Sequence, residues 1–243
     1  MKVVVQTTTT DFKFNPNRLS HRIRLIRRIS KAMNNRPDFS NYLVHFTKNN
    51  RPCGVKDSNN PIGDKAEGMA LARLISILTD KKIIASTMPW TNCHCVCLTE
   101  CPWSSLIDHT KSYSPYGIGF SKQFVFSRNG SPVYYVRADQ YEKQQWHEHL
   151  HPFVTPFWPS YRAKSIEAKK KFQTCDYTHE REWRVPHDFP FEYNQIEFII
   201  LDKYEDMAKF PKELKDSIGR DKFLLMDNYK IIEKLWPVHN LGI

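Results

Sequence analysis

The sequence predicts an α+β domain in which a single mixed sheet is flanked by helices, and three observations carry that prediction. Short runs rich in β-branched and aromatic residues, "YLVHFTK", "CHCVCLTEC", "YGIGFSK", "SPVYYVRA", "EREWRV" and "QIEFIILD", recur along the chain between turn residues. Between them lie stretches with apolar residues at helical spacing. Fifteen prolines spread along 243 residues argue against a helical bundle, while 13% aromatic residues and only eight glycines argue against disorder. With 40% hydrophobic residues the chain is long enough to close a real core.

Taken in order, residues 1–40 read as an extension. "KVVVQ" has the composition of an edge strand, "TTTT" is a polar link, and "NPN" supplies a turn and cap signal for a helix over Arg18–Met33. In that helix Leu19, Ile23, Ile26, Ile29 and Met33 share a stripe, and Arg22, Arg24, Arg27, Arg28 and Lys31 crowd the remaining surface. Residues 41–243 read as the α+β domain. "YLVHFTK" is its first strand, the turn-rich "NNRPCGVKDSNNPIGD" a loop, and "AEGMALARLISILTDKK" a helix burying Ala70, Leu71, Leu74, Ile75 and Leu78. A short strand "IIAS" follows, then "CHCVCLTEC", which Pro102 ends, and a short helix in "WSSLIDHTKSY" with Ser104 as its cap. "YGIGFSK" and "SPVYYVRA" are separated by "RNG", a hairpin-like turn signal. A helix is expected from Asp139 to about Leu150, then the aromatic and proline-rich "HPFVTPFWPSY", then a basic helix in "AKSIEAKKKFQT". "EREWRV" and "QIEFIILD" close the sheet, the latter apolar enough to be an interior strand.

The charge is the second constraint. Thirty-six Lys and Arg against 26 Asp and Glu give a net charge of +10, which favours an anionic partner: nucleic acid, a dinucleotide or an anionic membrane surface. The opening apolar run is too short for a signal peptide, and no stretch approaches the roughly 20 apolar residues of a membrane span. The expectation is a cytoplasmic protein without a membrane partner. In that compartment the six cysteines are expected as reduced thiols. Cys93, Cys95 and Cys97 alternate as a strand would place them, unlike the paired CxxC knuckles of zinc sites, so buried strand thiols are expected and no metal.

Two constellations have chemical content. "HEHLH", His147 to His151, matches HExxH, a motif that needs an unbroken helix to put both histidines on one face. Pro152 disfavours that geometry at His151, so a solvated helix end is expected instead. The other constellation is His45 on the first core strand with Glu180 and Glu182 on a late one. If "EREWRV" is extended throughout, Glu180, Glu182 and Arg184 share one face. Two readings are open there: exposed carboxylates paired with Arg184 or neighbouring lysines beside a satisfied core histidine, or a catalytic acidic pair.

The order "VHFTK", a helix ending "LISILTDKKIIAS", "CLTECP", "YGIGFSK", "PVYYV" and "EREWRV" resembles the AbiGi family of abortive-infection proteins, over Tyr42 to Pro186. The same order is similar, more distantly, to DarT-type ADP-ribosyltransferases, where a first-strand histidine precedes a helix and a catalytic glutamate arrives on a late strand. That likeness implies an ADP-ribosyltransferase-like fold with NAD as co-substrate. It implies that His45 hydrogen-bonds an NAD ribose, that Glu182 contacts the 2′-hydroxyl of the nicotinamide ribose, and that Glu180 serves the acceptor side. It further implies cofactor contacts for Thr47 and Thr99, and stacking on nicotinamide by Tyr116, Tyr134 or Tyr135. The strand expected to carry an STS motif reads "LTE" here, a departure from the pattern.

The chemistry explains such a set. Cleaving the nicotinamide bond passes through an oxocarbenium-like transition state, which a fixed carboxylate stabilises. A second carboxylate, its pKa raised by the first, accepts a proton from the attacking group. The leading expectation is therefore a phage-defence effector that uses NAD to modify a nucleic acid or protein acceptor, or hydrolyses it. Its rivals are a non-enzymatic antitoxin that binds a cognate toxin, and a nuclease or nucleic-acid-binding effector that uses Arg22, Arg24, Arg27 and Arg28 on phosphates and the aromatics of "HPFVTPFWPSY" on bases.

Overall fold

The fold was analysed in a computed structural model, which describes residues 40–49, 69–100, 107, 109–110, 113–141, 143–158 and 175–235. All of these lie in one compact unit, Ser40–Ile243. The N-terminal strand and basic helix, the loop after Asn49 and the helix expected in "AKSIEAKKKFQT" lie outside the described residues.

The chain runs β1 (Tyr42–Phe46), α1 (Met69–Asp80), β2 (Lys82–Ile83), β3 (Ser86–Thr87), β4 (His94–Thr99) and β5 (Gly117–Ser121). It continues with α2 (Lys122–Ser127), β6 (Ser131–Pro132), β7 (Tyr134–Arg137), α3 (Ala138–Tyr141), β8 (Val154–Phe157) and β9 (Glu182–Pro186). It closes with β10 (Phe189–Pro190), β11 (Ile196–Leu201), α4 (Lys212–Ile218), β12 (Phe223–Leu225) and α5 (Met226–Leu235). Among the described residues eight strands form one sheet in the order β12-β11-β5-β1-β4-β9-β6, with β3 on β4. β12 runs parallel to β11 and the other pairs in this sheet are antiparallel, so the class is α+β with a mixed sheet, as the sequence predicts. Two further two-stranded pairs, β2 with β10 and β7 with β8, stand apart from it.

Strand alternation gives the sheet two different faces. On one, Leu43, Leu98, Val96, Ile118, Phe120, Val185 and Ile199 meet Leu71, Leu74 and Leu78 of α1 and Leu214 and Ile218 of α4 in the main core. Each such apolar side chain contributes about 1.5–3 kcal/mol when fully buried. The other face has a smaller apolar cluster of Val44, Phe46, Ile200 and Met226, beside which the polar groups gather. In α1 the buried set is Ala70, Leu71, Leu74, Ile77 and Leu78, with the expected Ile75 packed at its margin.

Three expectations need correction. "YGIGFSK" and "SPVYYVRA" do not form a hairpin: β5 pairs with β1 and β11, β6 with β9, and β7 with β8. The residues after β5 turn into α2 because the Ser121 hydroxyl accepts from the Phe124 N–H and caps it, and "RNG" ends that helix, with Gly130 N–H bonded back to the Val125 carbonyl. The helix expected from Asp139 to Leu150 stops at Tyr141. Its continuation is almost wholly polar, with no apolar stripe to dock, and the Trp146 indole donates to the Tyr141 carbonyl at 3.2 Å. "EREWRV" is not extended throughout: Thr178–Glu180 is a 3-10 turn, and β9 begins only at Glu182.

Candidate functional site

The polar groups collect where β1, β4 and β9 lie side by side. Register sets the faces: Val44 lies opposite Thr99, and Thr99 opposite Glu182, so these three share the minor-core face. Cys97 lies opposite Arg184 on the same face. Arg184 is 3% exposed, and its guanidinium grips Glu182 with two nitrogens, Nε to Oε1 at 2.8 Å and Nη2 to Oε2 at 3.1 Å. Its Nη1 donates to the carbonyls of Pro152 and Val154 at 3.1 and 3.3 Å. Burial alone would lower its pKa; the Glu182 carboxylate more than offsets this, and the net shift is upward. The Cys97 thiol, pushed well up by burial and by Glu182, completes this layer.

Glu180 lies in the turn before β9 and not on the strand that carries Glu182. Arg181 between them takes the left-handed conformation, φ 44°, which swings Glu180 off the strand line. The Thr99 hydroxyl donates to the Glu180 carbonyl and fixes the kink. The Tyr113 hydroxyl lies 3.0 Å from each Glu180 carboxylate oxygen. Its ring is stacked by His109, centroids 4.4 Å apart and 12° from parallel, and Lys48 Nζ stands 3.9 Å from its centroid. Burial raises the Glu180 pKa, with Glu182 adding to the effect and Tyr113 opposing it. Burial, then His179 and Lys48, push His109 down to about 4, so its ring is neutral at pH 7. Tyr113 is raised far above the ordinary phenol range by burial and Glu180.

The remaining candidates are placed elsewhere or already engaged. His45 lies opposite Ile118 of β5, on the main-core face, so the sheet separates it from Glu182. Its Nδ1–H donates to the Cys97 carbonyl at 2.9 Å, and burial lowers its pKa. Thr47 is buried, its hydroxyl donating to the Ala70 carbonyl at 2.9 Å and touching Ser114. Thr99 is held by its bond to Glu180. The Tyr116 hydroxyl donates to Asp206 at 3.0 Å and its ring packs against the main core. Tyr134 is 51% exposed, while its neighbour Tyr135 turns inward, donates to the Tyr177 carbonyl at 2.9 Å and feels the charges of Glu182 and Glu180. Arg22, Arg24, Arg27 and Arg28 lie outside the described residues.

Tyr113 and His109 were not singled out from the sequence. Their signal was present, since they stand four residues apart in a segment of helical pattern, the spacing that stacks two rings. The HExxH match resolves into turn: His151 opens a 3-10 turn and His147 and His149 are exposed. Among the described residues no three His, Cys, Asp or Glu side chains gather at metal-binding distances. No helix among them is long and apolar enough to cross a membrane.

The arrangement holds two carboxylates near each other by giving each its own donor, Arg184 for Glu182 and Tyr113 for Glu180. Glu182 is thus paired with Arg184, one of the partners the sequence offered, while Glu180 is buried and bonded to Tyr113, which it did not offer. No curated protein and no solved structure matches the chain, and nothing found supports the likeness to DarT-type enzymes. One family model matches over residues 76–225, described as "Putative abortive phage resistance protein AbiGi, antitoxin". The match takes in β4, β5, β9 and β11, begins beyond His45 and Thr47, and extends past Pro186 to the end of β12. Covering more than half of the 243 residues, it shows that the chain belongs to the AbiGi family of abortive phage resistance proteins.

Proposed function

We propose that this chain is the antitoxin of an abortive-infection pair, a binding protein that holds a cognate toxin inactive. The family description supports the antitoxin side. The observation that carries the choice is the state of Glu182, whose two oxygens are both engaged by a buried arginine while His45 faces the opposite side of the sheet. A carboxylate that stabilises an oxocarbenium ion must present a free oxygen to the sugar, in one cleft with the groups that hold the cofactor. Here each Glu182 oxygen accepts from Arg184, which itself holds the Pro152 and Val154 carbonyls, so the carboxylate is built into the packing of the sheet. The test is co-expression with the toxin of the same system, followed by co-purification and calorimetry with NAD. A stoichiometric complex without NAD binding is the expected result; NAD binding with nicotinamide release overturns the proposal.

A second reading is favoured by one specific observation, the proximity of Glu180, Glu182 and Tyr135. In it NAD is co-substrate, Glu182 acts on the nicotinamide ribose after releasing Arg184, Glu180 serves a nucleic acid or protein acceptor, and Thr47, Thr99, Tyr116 or Tyr134 contribute to the cofactor side. Labelled NAD decides it, by nicotinamide release and by label transfer. The net charge of +10 also supports contact with a polyanion such as nucleic acid. Replacing Arg22, Arg24, Arg27 and Arg28 by glutamine should then weaken binding to duplex DNA and flatten its salt dependence. An unchanged salt slope leaves those arginines as ordinary surface.

A further inference from the structure

We propose that Cys93 and His151 form a thiol-modification site at which a low-molecular-weight disulfide of the glutathione class exchanges with the Cys93 sulfur. Neither residue takes part in the acidic cluster, and each comes from a motif that the fold left without a role: Cys93 from "CHCVC" and His151 from the last histidine of "HEHLH". Cys93 ends the turn before β4, where the Thr91 hydroxyl accepts from its N–H at 3.3 Å and its carbonyl accepts from the Met88 N–H at 2.8 Å. These bonds hold the thiol at the margin of the sheet. The Cys93 thiol donates to the Thr91 carbonyl at 3.7 Å, and the same Sγ lies 4.0 Å from Nδ1 of His151. In the tautomer protonated at Nε2, the His151 Nδ1 is an acceptor for the thiol proton.

Selectivity comes from the surroundings. Of the described cysteines, Cys93 and Cys97 are partly exposed, and Cys95 and Cys175 are buried. Burial pushes Cys95 and Cys175 up to about 11 and Cys97 well above its ordinary value, which suppresses the thiolate at all three. Cys93 alone among them combines access with a neighbouring imidazole.

The exchange needs no other oxidant. The Cys93 proton passes to His151 Nδ1, the thiolate attacks one sulfur of the disulfide, the reagent's S–S bond breaks as the new one forms, and the departing thiolate takes the proton from the imidazolium. The product is a mixed disulfide plus one free small thiol. It also removes a contact that ties the His151–Phe153 turn to the start of β4, leaving Cys95 and Arg184 on the Pro152 carbonyl.

The test uses the full chain. Incubation with oxidised glutathione followed by peptide mass mapping should place the adduct on the peptide carrying Cys93, and a reductant should remove it. With dithiodipyridine, Cys93→Ser should lose the fastest phase of thiopyridone release. His151→Ala should slow that phase at least about tenfold, the low side of what a positioned base contributes, and added imidazole should restore part of the rate. An adduct on other cysteines with Cys93 unmodified overturns the proposal, as does a fast phase surviving in Cys93→Ser. Loss of rate in His151→Ala without imidazole rescue overturns the role of His151 as base. Should Cys93→Ser fail to fold, the wild-type adduct map decides the site by itself.

Discussion

Arg184 and Glu182 behave as a single buried unit, and their energetics differ from those of a surface pair. Both are largely withdrawn from water, so the attraction between them mainly repays desolvation, and the loss of one partner leaves a buried charge uncompensated. Arg184→Met should therefore cost about 3–5 kcal/mol in denaturant unfolding. Glu182→Gln, which keeps an acceptor but not the charge, should cost about 1.5–3 kcal/mol. The double replacement Glu182→Leu with Arg184→Met should recover much of the loss. A catalytic Glu182 with no structural duty would give a Glu182→Gln variant as stable as wild type. His109 makes a second prediction at this scale. Its pKa is depressed from 6.5 to about 4 in the folded chain, so the unfolded chain binds the proton more tightly between those values. The stability it contributes is present above about pH 6.5 and is lost as pH falls toward 4. His109→Phe keeps a ring between Phe46 and Tyr113 and should flatten that acid limb, by up to about 3 kcal/mol. His45 shares the direction of shift, so part of the slope should remain.

At the scale of elements, backbone geometry decides what side-chain patterns leave open. Gly119 lies on the minor-core face of β5 directly under Phe198, and a Cβ there would stand 2.5 Å from two atoms of that ring. Gly119→Ala should cost about 1–3 kcal/mol by overpacking, and Phe198→Leu in the same chain should relieve part of it, as thermal melts of the single and double variants will show. The strands that form were legible because "YLVHF", "HCVCLT" and "IEFIIL" combine strand composition with flanking turn residues. The hairpin was misread because the residues after Ser121, "KQFVFS", have strand composition, and only the cap from Ser121 to the Phe124 N–H selects helix. The acidic pair was misplaced for a similar reason. Nothing in "HEREWR" announces that Arg181 adopts a left-handed φ, yet that one residue decides whether Glu180 and Glu182 share a face. Arg184 as a partner was legible from its i+2 spacing to Glu182. His45 on the opposite face was not, because the register between β1 and β9 is set through β4, which has no local signature.

For the whole molecule, the sheet keeps its apolar mass on one side, under α1 and α4, and its satisfied polar cluster on the other. Each carboxylate of this cluster has a donor of its own, Arg184 for Glu182 and Tyr113 for Glu180. The family was legible from the order of motifs, while the face of the sheet that each residue occupies was not, because motif order carries no information about it. The antitoxin account makes the chain harmless by itself and protective in company. The most direct measurement is bacterial growth under inducible expression of the chain alone, of folded Glu182→Gln, and of the chain together with the toxin of its system. The account predicts unimpaired growth with the chain alone, and rescue from the toxin by wild type and by Glu182→Gln at a temperature where the variant is folded. Growth arrest by the chain alone, relieved by Glu182→Gln, would contradict it.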